Sequence, residues 1–395
     1  MTGALGSISL LDLRGYHVLE AEFGAGPQLV WGPNAAGKTS LLEAIMLLGW
    51  GRSHRTTTDS ELIRWGAPLA RVAGAVHGPS GAGVPTTIEV ALLREGAGSQ
   101  RKRIRVNGVA RRAGGLVGLL RTVLFAPEEM LLVAGPPTLR RTALDQLAAQ
   151  RSPAYLRDLA TYGRALQQRN SLLRAIREEL ASRDELAFWD ATVVETGGAI
   201  VLERLRLLDE LAEPLARAHA EIAPEETAAG RLGLRYETNA PRQGAETPAQ
   251  AIERRLRETA EKEVWNGATL VGPHRDDIAF EFNGRDLATF ASRGQERTAI
   301  LALKLAELDL LTALDGRPPL LLLDDVFSEL DPERRSHLVR RIAELPQAFV
   351  TTTTLDDLDP RLRAGATSWH VLPGGAAAGA RLVGPSHLEP EASLR

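Results

Sequence analysis

The stretch Gly32-Pro33-Asn34-Ala35-Ala36-Gly37-Lys38-Thr39 constrains this chain more than any other. It meets the phosphate-loop pattern G-x-x-x-x-G-K-[ST] at every position. Strand-like QLVW (28–31) precedes it and helix-like TSLLEAIMLL (39–48) follows. The glycines let backbone N–H groups close on phosphate oxygens. Lys38 can reach β/γ-phosphates, and Thr39 can hold Mg2+. A glycine-rich turn with a stray lysine is the plainer alternative, and the flanking strand and helix disfavour it. ATP and Mg2+ are the expected cofactors.

Such a loop needs a metal carboxylate on a neighbouring strand. PLLLLDD (319–325) supplies four leucines and then Asp324 and Asp325. Asp324 is expected as the Mg2+ partner. Asp325 stands where it could polarise an attacking water. Alone it would read as a strand-end turn residue; beside a complete phosphate loop the catalytic role is favoured.

The remaining chain is organised around these two motifs. Its 395 residues exceed one typical domain. Residues 1–137 read as α/β, with a type I′ hairpin at Asn107-Gly108. Residues 138–265 read as a helical arm, with leucines near helical spacing from Leu156 to Leu180 and from Leu202 to Leu211. Residues 266–373 return to α/β, and 374–395 read as a loose Gly/Ala-rich tail. The fold class is thus an α/β P-loop ATPase head of mixed sheets and helices, interrupted by a helical lobe. The chain has no Cys, which excludes disulfides and thiolate zinc sites and suits a reducing compartment. No stretch has ~18 uninterrupted apolar residues, and no secretory pattern opens the chain, so a cytoplasmic protein is expected.

One short phrase, ASRGQE (291–296), has two readings. Ser292 and Gln295 fit a capping box at the start of a helix. Yet the order of phosphate loop, long insertion, S-x-G-Q, acidic strand end and SELD (328–331) resembles ATP-binding-cassette ATPases. That resemblance implies that Ser292, Gly294 and Gln295 meet the triphosphate held by a second subunit. A helix N-terminus suits that charge, so both readings are compatible.

More of the chain narrows the resemblance. WGPNAAGKTSLLEAI, LGWGRSHRTTTDSELIRWG (48–66), FAPEEMLLVAGPPTLRRTALDQL (125–147), VGPHRDD (271–277), SRGQERTAILALKLAEL and LLLLDDVFSELD (320–331) are similar to the RecF family of bacterial recombination mediators. The resemblance covers nearly the whole chain. It implies a DNA-binding protein that dimerises on ATP, hydrolyses it slowly in a DNA-dependent way, and acts at gapped or single-strand/double-strand junction DNA. There it would promote RecA loading with RecR and RecO, supporting replication restart and SOS induction. On this chain it implies nucleotide contacts from Gly32 to Thr39, catalytic roles for Lys38, Asp324, Asp325, Ser292 and Gln295, and Mg2+ at Thr39 and Asp324.

Three departures from the wider cassette class stand out. Its catalytic Glu is here Asp325. TTTT (351–354) occupies the place of its switch His. No Q-loop glutamine is evident, and Glu128 or Glu129 stands in its position.

The net charge of −3 does not advertise nucleic acid, but local patches do. Arg101, Lys102, Arg103, Arg105, Arg111 and Arg112 cluster around the Asn107 hairpin. Arg52, His54 and Arg55 form a smaller group. A solvated face is the ordinary explanation of such runs; phosphate contact is the other. Few aromatics accompany them, which favours a duplex-backbone grip over base stacking.

Overall fold

The structure is a computed structural model that describes residues 3–78, 83–94, 102–356, 358–375 and 378–386. Two compact units emerge. The first comprises Met1–Met130, Ala220–Pro224 and Leu301–Arg395; the second comprises Leu131–His219 and Glu225–Ile300.

The first unit holds two six-stranded sheets. One is antiparallel throughout, with strands β1 (Ala4–Leu13), β2 (Tyr16–Glu22), β4 (Leu69–His77), β5 (Thr86–Leu93), β6 (Lys102–Val106) and β7 (Val109–Arg111) in the order β2-β1-β4-β5-β6-β7. The other is mostly parallel. It contains β3 (Gly26–Trp31), β8 (Thr122–Phe125), β12 (Leu320–Asp324), β13 (Gln347–Thr352), β14 (Thr367–Leu372) and β15 (Arg381–Ser386), ordered β15-β14-β3-β13-β12-β8. The helix Lys38–Trp50 contacts β1, β4 and β5 of the first sheet and β12 and β13 of the second. Flanked by both sheets, it is apolar nearly all round, and Leu41 to Trp50 are buried without a break. That is why its sequence shows no polar stripe.

The expected tail contains β15, which pairs antiparallel with β14 from His370↔Val383 to Leu372↔Arg381. Its Gly/Ala content suggested looseness, but RLV at 381–383 carries enough strand character to extend the sheet.

The second unit is helical around a small sheet. It holds helices Pro137–Arg151, Pro153–Arg177, Leu186–Ile222 and Pro248–Asn266 together with β9 (Leu232–Glu237), β10 (Asp277–Phe282) and β11 (Arg285–Asp286), ordered β11-β10-β9, and the first of these helices packs on β10. Pairing of β10 with β9 ties residues 277–282 to this unit, so 266–300 group here and not with the α/β unit assigned them from sequence. The motif GPHRDD (272–277) is a polar joint inside it. Asp277 accepts two bonds from Arg140 at 2.8 and 2.7 Å. Pro273 O accepts from buried Arg204 at 2.8 Å. His274 Nδ1 lies 2.6 Å from Tyr162 Oη, and its Nε2 lies 3.1 Å from Thr269 O. Burial pushes His274 down to about 4, so the neutral ring accepts from Tyr162 and donates to Thr269.

Candidate nucleotide-binding site

β3 delivers the chain into residues 32–37, and the helix begins at Lys38. Gly32 has φ 150°, and a Cβ there would stand 2.4 Å from Val371 O on β14. Gly37 has φ 119°, and a Cβ there would meet the Tyr16 ring at 3.2 Å. Only glycine fits either place. Tyr16 Oη also donates to Gly37 O at 3.1 Å, bracing the loop from β2. Lys38 is buried, and its Nζ donates to Gly32 O at 2.7 Å and Pro33 O at 3.0 Å. Burial lowers the Lys38 pKa, while Asp325 and Asp324 act to raise it. The ammonium thus stands inside the loop with two carboxylates in its field. Pro33, Asn34, Ala35 and Ala36 complete the turn, and Ala35 is left-handed at φ 62°.

The strand order explains the other half. β13 lies between β3 and β12, and its Thr351 is in register with Val30 on one side and Asp324 on the other. Asp324 Oδ1 accepts from Thr39 Oγ1 at 3.1 Å and from Thr351 Oγ1 at 2.6 Å. The Asp325 N–H donates back to Thr351 Oγ1 at 3.0 Å. Asp325 itself is left-handed at φ 53°, and its carbonyl accepts from Ser328 Oγ at 2.8 Å. A run of four threonines gave no reason to single out Thr351; only the pairing register does so. Asp331 of SELD caps the next helix, accepting from Glu333 N at 3.1 Å and Arg334 N at 3.0 Å.

The geometry suits a hexacoordinate Mg2+. Adjacent ligands of an octahedron with ~2.1 Å arms are separated by about 3.0 Å. Thr39 Oγ1 and Asp324 Oδ1 stand 3.1 Å apart. Among the described residues no group of three or more His, Asp or Glu side chains is placed to hold a metal. A cation here would therefore depend on phosphate oxygens and water for its remaining ligands.

The two glutamates after β8 have different partners. Glu128 accepts from Arg55 Nε at 3.3 Å. Glu129 pairs with Lys304 at 2.5 Å. In the second unit, Ser292 and Gln295 form the expected capping box: Ser292 N donates to Gln295 Oε1 at 3.0 Å and Gln295 N to Ser292 Oγ at 3.3 Å. Ser292, Gly294 and Gln295 are all exposed. They open the helix Arg293–Asp315, whose residues to Ile300 group with the second unit and whose later residues group with the first.

The basic patch is thinner than its sequence suggests. Lys102 leaves it: Nζ donates to Gly51 O at 2.7 Å and pairs with Asp59 at 2.7 Å. The strand alternation carries the signal, because Lys102 shares the inward side of β6 with Ile104 while Arg103 and Arg105 face outward. Arg103, Arg105, Arg111 and Arg112 are exposed. Arg105 stands opposite Glu89 in the strand register, and Glu89 pairs with Arg71 at 2.6 Å. Arg101 lies outside the described residues. Arg52 lies over the Trp50 ring at 5.4 Å.

A strand, a phosphate loop, a buried helix and an aspartate on the strand one place removed define a P-loop ATPase head of the ATP-binding-cassette type. The family model described as RecF/RecN/SMC N terminal domain matches residues 4–359. The DNA replication and repair protein RecF of Symbiobacterium thermophilum is 41% identical over 90% of this chain and 92% of its own length. That of Bacillus subtilis is 38% identical over 89% and 94%. The solved structure of the recombination mediator protein RecF with ATP, in the RecFOR pathway, superposes with TM-score 0.84 at 32% identity, covering 93% of this chain and 95% of that one. An Smc head bound to the C-winged helix domain of ScpA, 14% identical with TM-score 0.54, shares the fold. The chain belongs to the RecF family of DNA replication and repair proteins.

Proposed function

We propose that this chain is an ATP-switched DNA-binding protein of recombinational repair, a weak DNA-dependent ATPase whose ATP-bound form is a homodimer. The observation that carries this reading is the Thr39–Asp324 contact at 3.1 Å beneath a complete phosphate loop. The relatives' role in DNA repair and the solved RecF with ATP support it.

Gly32 to Thr39 bind the triphosphate through backbone N–H groups and Lys38. Thr39 and Asp324 hold Mg2+, which supplies charge neutralisation on the phosphates. Thr351 fixes the rotamer of Asp324. Asp325 holds the attacking water. Its left-handed backbone favours Asp or Asn over Glu, and its shorter side chain fits slow turnover. Glu128 takes the Q-loop position, since Glu129 is committed to Lys304. Ser292, Gly294 and Gln295 present an exposed, capped helix start to the triphosphate of a second copy. Arg103, Arg105, Arg111 and Arg112, with Arg52 and Arg55, contact duplex phosphates at gapped or junction DNA. RecR and RecO act with it to load RecA, which supports replication restart and SOS induction.

Sedimentation with and without ATP and duplex DNA tests the reading. Wild type is expected to dimerise on ATP, and Lys38→Met to stay monomeric. Asp325→Asn is expected to bind ATP and remain as a trapped dimer on DNA. Dimers of equal strength without nucleotide, or release of DNA by Asp325→Asn at the wild-type rate, would count against an ATP switch. The second outcome would favour a docking scaffold that ATP merely locks.

A further inference from the structure

His54 carries two buried ring nitrogens without a hydrogen-bond partner. It lies on the loop after the helix Lys38–Trp50, between two anchored neighbours. Ser53 Oγ donates to Glu43 and accepts from Arg55 N at 2.9 Å and Thr56 N at 3.2 Å. Glu43 is fully buried and accepts twice from Arg14, at 2.8 and 2.9 Å. Arg55 reaches Glu128 on the other side. Between these anchors both ring nitrogens of His54 are buried without a hydrogen-bond partner. Native folds rarely leave a buried polar group unpaired without a functional reason.

The surroundings say what kind of partner would fit. Burial lowers the pKa of the ring and so favours its neutral form, in which one nitrogen donates and the other accepts. The carboxylates of Glu43, Glu128 and Asp324 bear on it, opposed by the Arg55 guanidinium. Three anions disfavour a phosphate oxygen and favour the hydration shell of a cation. Asp324 is also the residue that meets Thr39. A Mg2+ ion keeps several waters, and those waters need acceptors.

We infer that His54 accepts a hydrogen bond from a water on the Mg2+ held by Thr39 and Asp324, as a positioning residue for the metal. The inference rests on the nucleotide reading above. It moves His54 from the basic patch, where its neighbours in sequence placed it, to the metal's outer shell. Partners of this kind set metal affinity without touching the ion.

The test is nucleotide affinity with Mg2+ and with EDTA, read with a fluorescent ATP analogue on the full chain. His54→Phe is expected to weaken Mg2+-dependent binding about tenfold and to leave metal-free binding unchanged. His54→Gln, whose amide oxygen still accepts, is expected to recover most of the loss. An unchanged Mg2+ gain in His54→Phe overturns the inference. So does an equal loss with and without Mg2+, which assigns the ring to packing. Lys38→Met separates the two levels: wild-type affinity in that variant sinks the nucleotide reading itself, whatever His54 does.

Discussion

Thr351 links the two acids at the end of β12. Its hydroxyl donates to Asp324 Oδ1 and accepts from Asp325 N, and the residue is fully buried. Thr351→Val keeps the shape but takes the acceptor from the Asp325 N–H and leaves Asp324 Oδ1 with the Thr39 hydroxyl alone of its two donors. Leaving a buried polar group unpaired costs about 1–3 kcal/mol, so we expect a loss of about 2 kcal/mol in urea denaturation and weaker binding of Mg2+·ATP. Thr351→Ser should restore both. A Val variant of wild-type stability and affinity would mean that the contact is redundant. Of this site the phosphate loop and Asp324 were legible, because each is a pattern along the chain. Thr351 was not, since its position depends on which strand lies between β3 and β12. Lys102 was legible in principle: alternation on β6 puts it beside Ile104, and only its charge suggested otherwise.

At the scale of elements, the helix Arg293–Asp315 carries a buried ion cluster. Lys304 pairs with Glu129 from the segment after β8 at 2.5 Å and with Glu307 at 3.2 Å. Both side chains are buried, and Glu129 reaches Lys304 from the segment after β8, a contact that no local pattern in the sequence announces. Burial, with the Glu129 carboxylate beside it, pushes Glu307 up to about 7 against the pull of Lys304. The unfolded value is 4.5. Between these values the folded chain keeps a proton that the unfolded chain has lost. The contribution of Glu307 to stability is therefore full below pH 4.5 and is lost as the pH rises through about 7. Glu307→Gln should flatten the fall in melting temperature between pH 5 and pH 7. An identical fall in both proteins would place the pH dependence elsewhere. His274 acts in the opposite sense: burial depresses it, so its contribution is present above its ordinary range and lost as acid protonates the ring.

For the whole molecule, the sequence texture changes after Pro136-Pro137, and the second compact unit begins at Leu131. The grouping of 266–300 was not legible in the sequence, because the pairing of β10 with β9 joins segments about forty residues apart. The proposed ATP-bound dimer turns on the phrase that begins at Ser292. As a cap it serves its own helix; in the proposed dimer the same exposed helix start would offer N–H groups and a positive dipole end to a partner's triphosphate. Ser292→Asp separates these roles. Asp caps as well as Ser, so folding and ATP binding by the monomer should match wild type. Its charge, however, would face the partner's phosphates, and the ATP-driven dimer should weaken by at least about tenfold, roughly 1.4 kcal/mol. Raising the salt should partly rescue the variant, because screening shortens the reach of that repulsion. Sedimentation velocity at two ionic strengths reads the outcome. An Asp variant that dimerises on ATP like wild type would show that Ser292 only caps its helix, and would remove it from the proposed dimer contact.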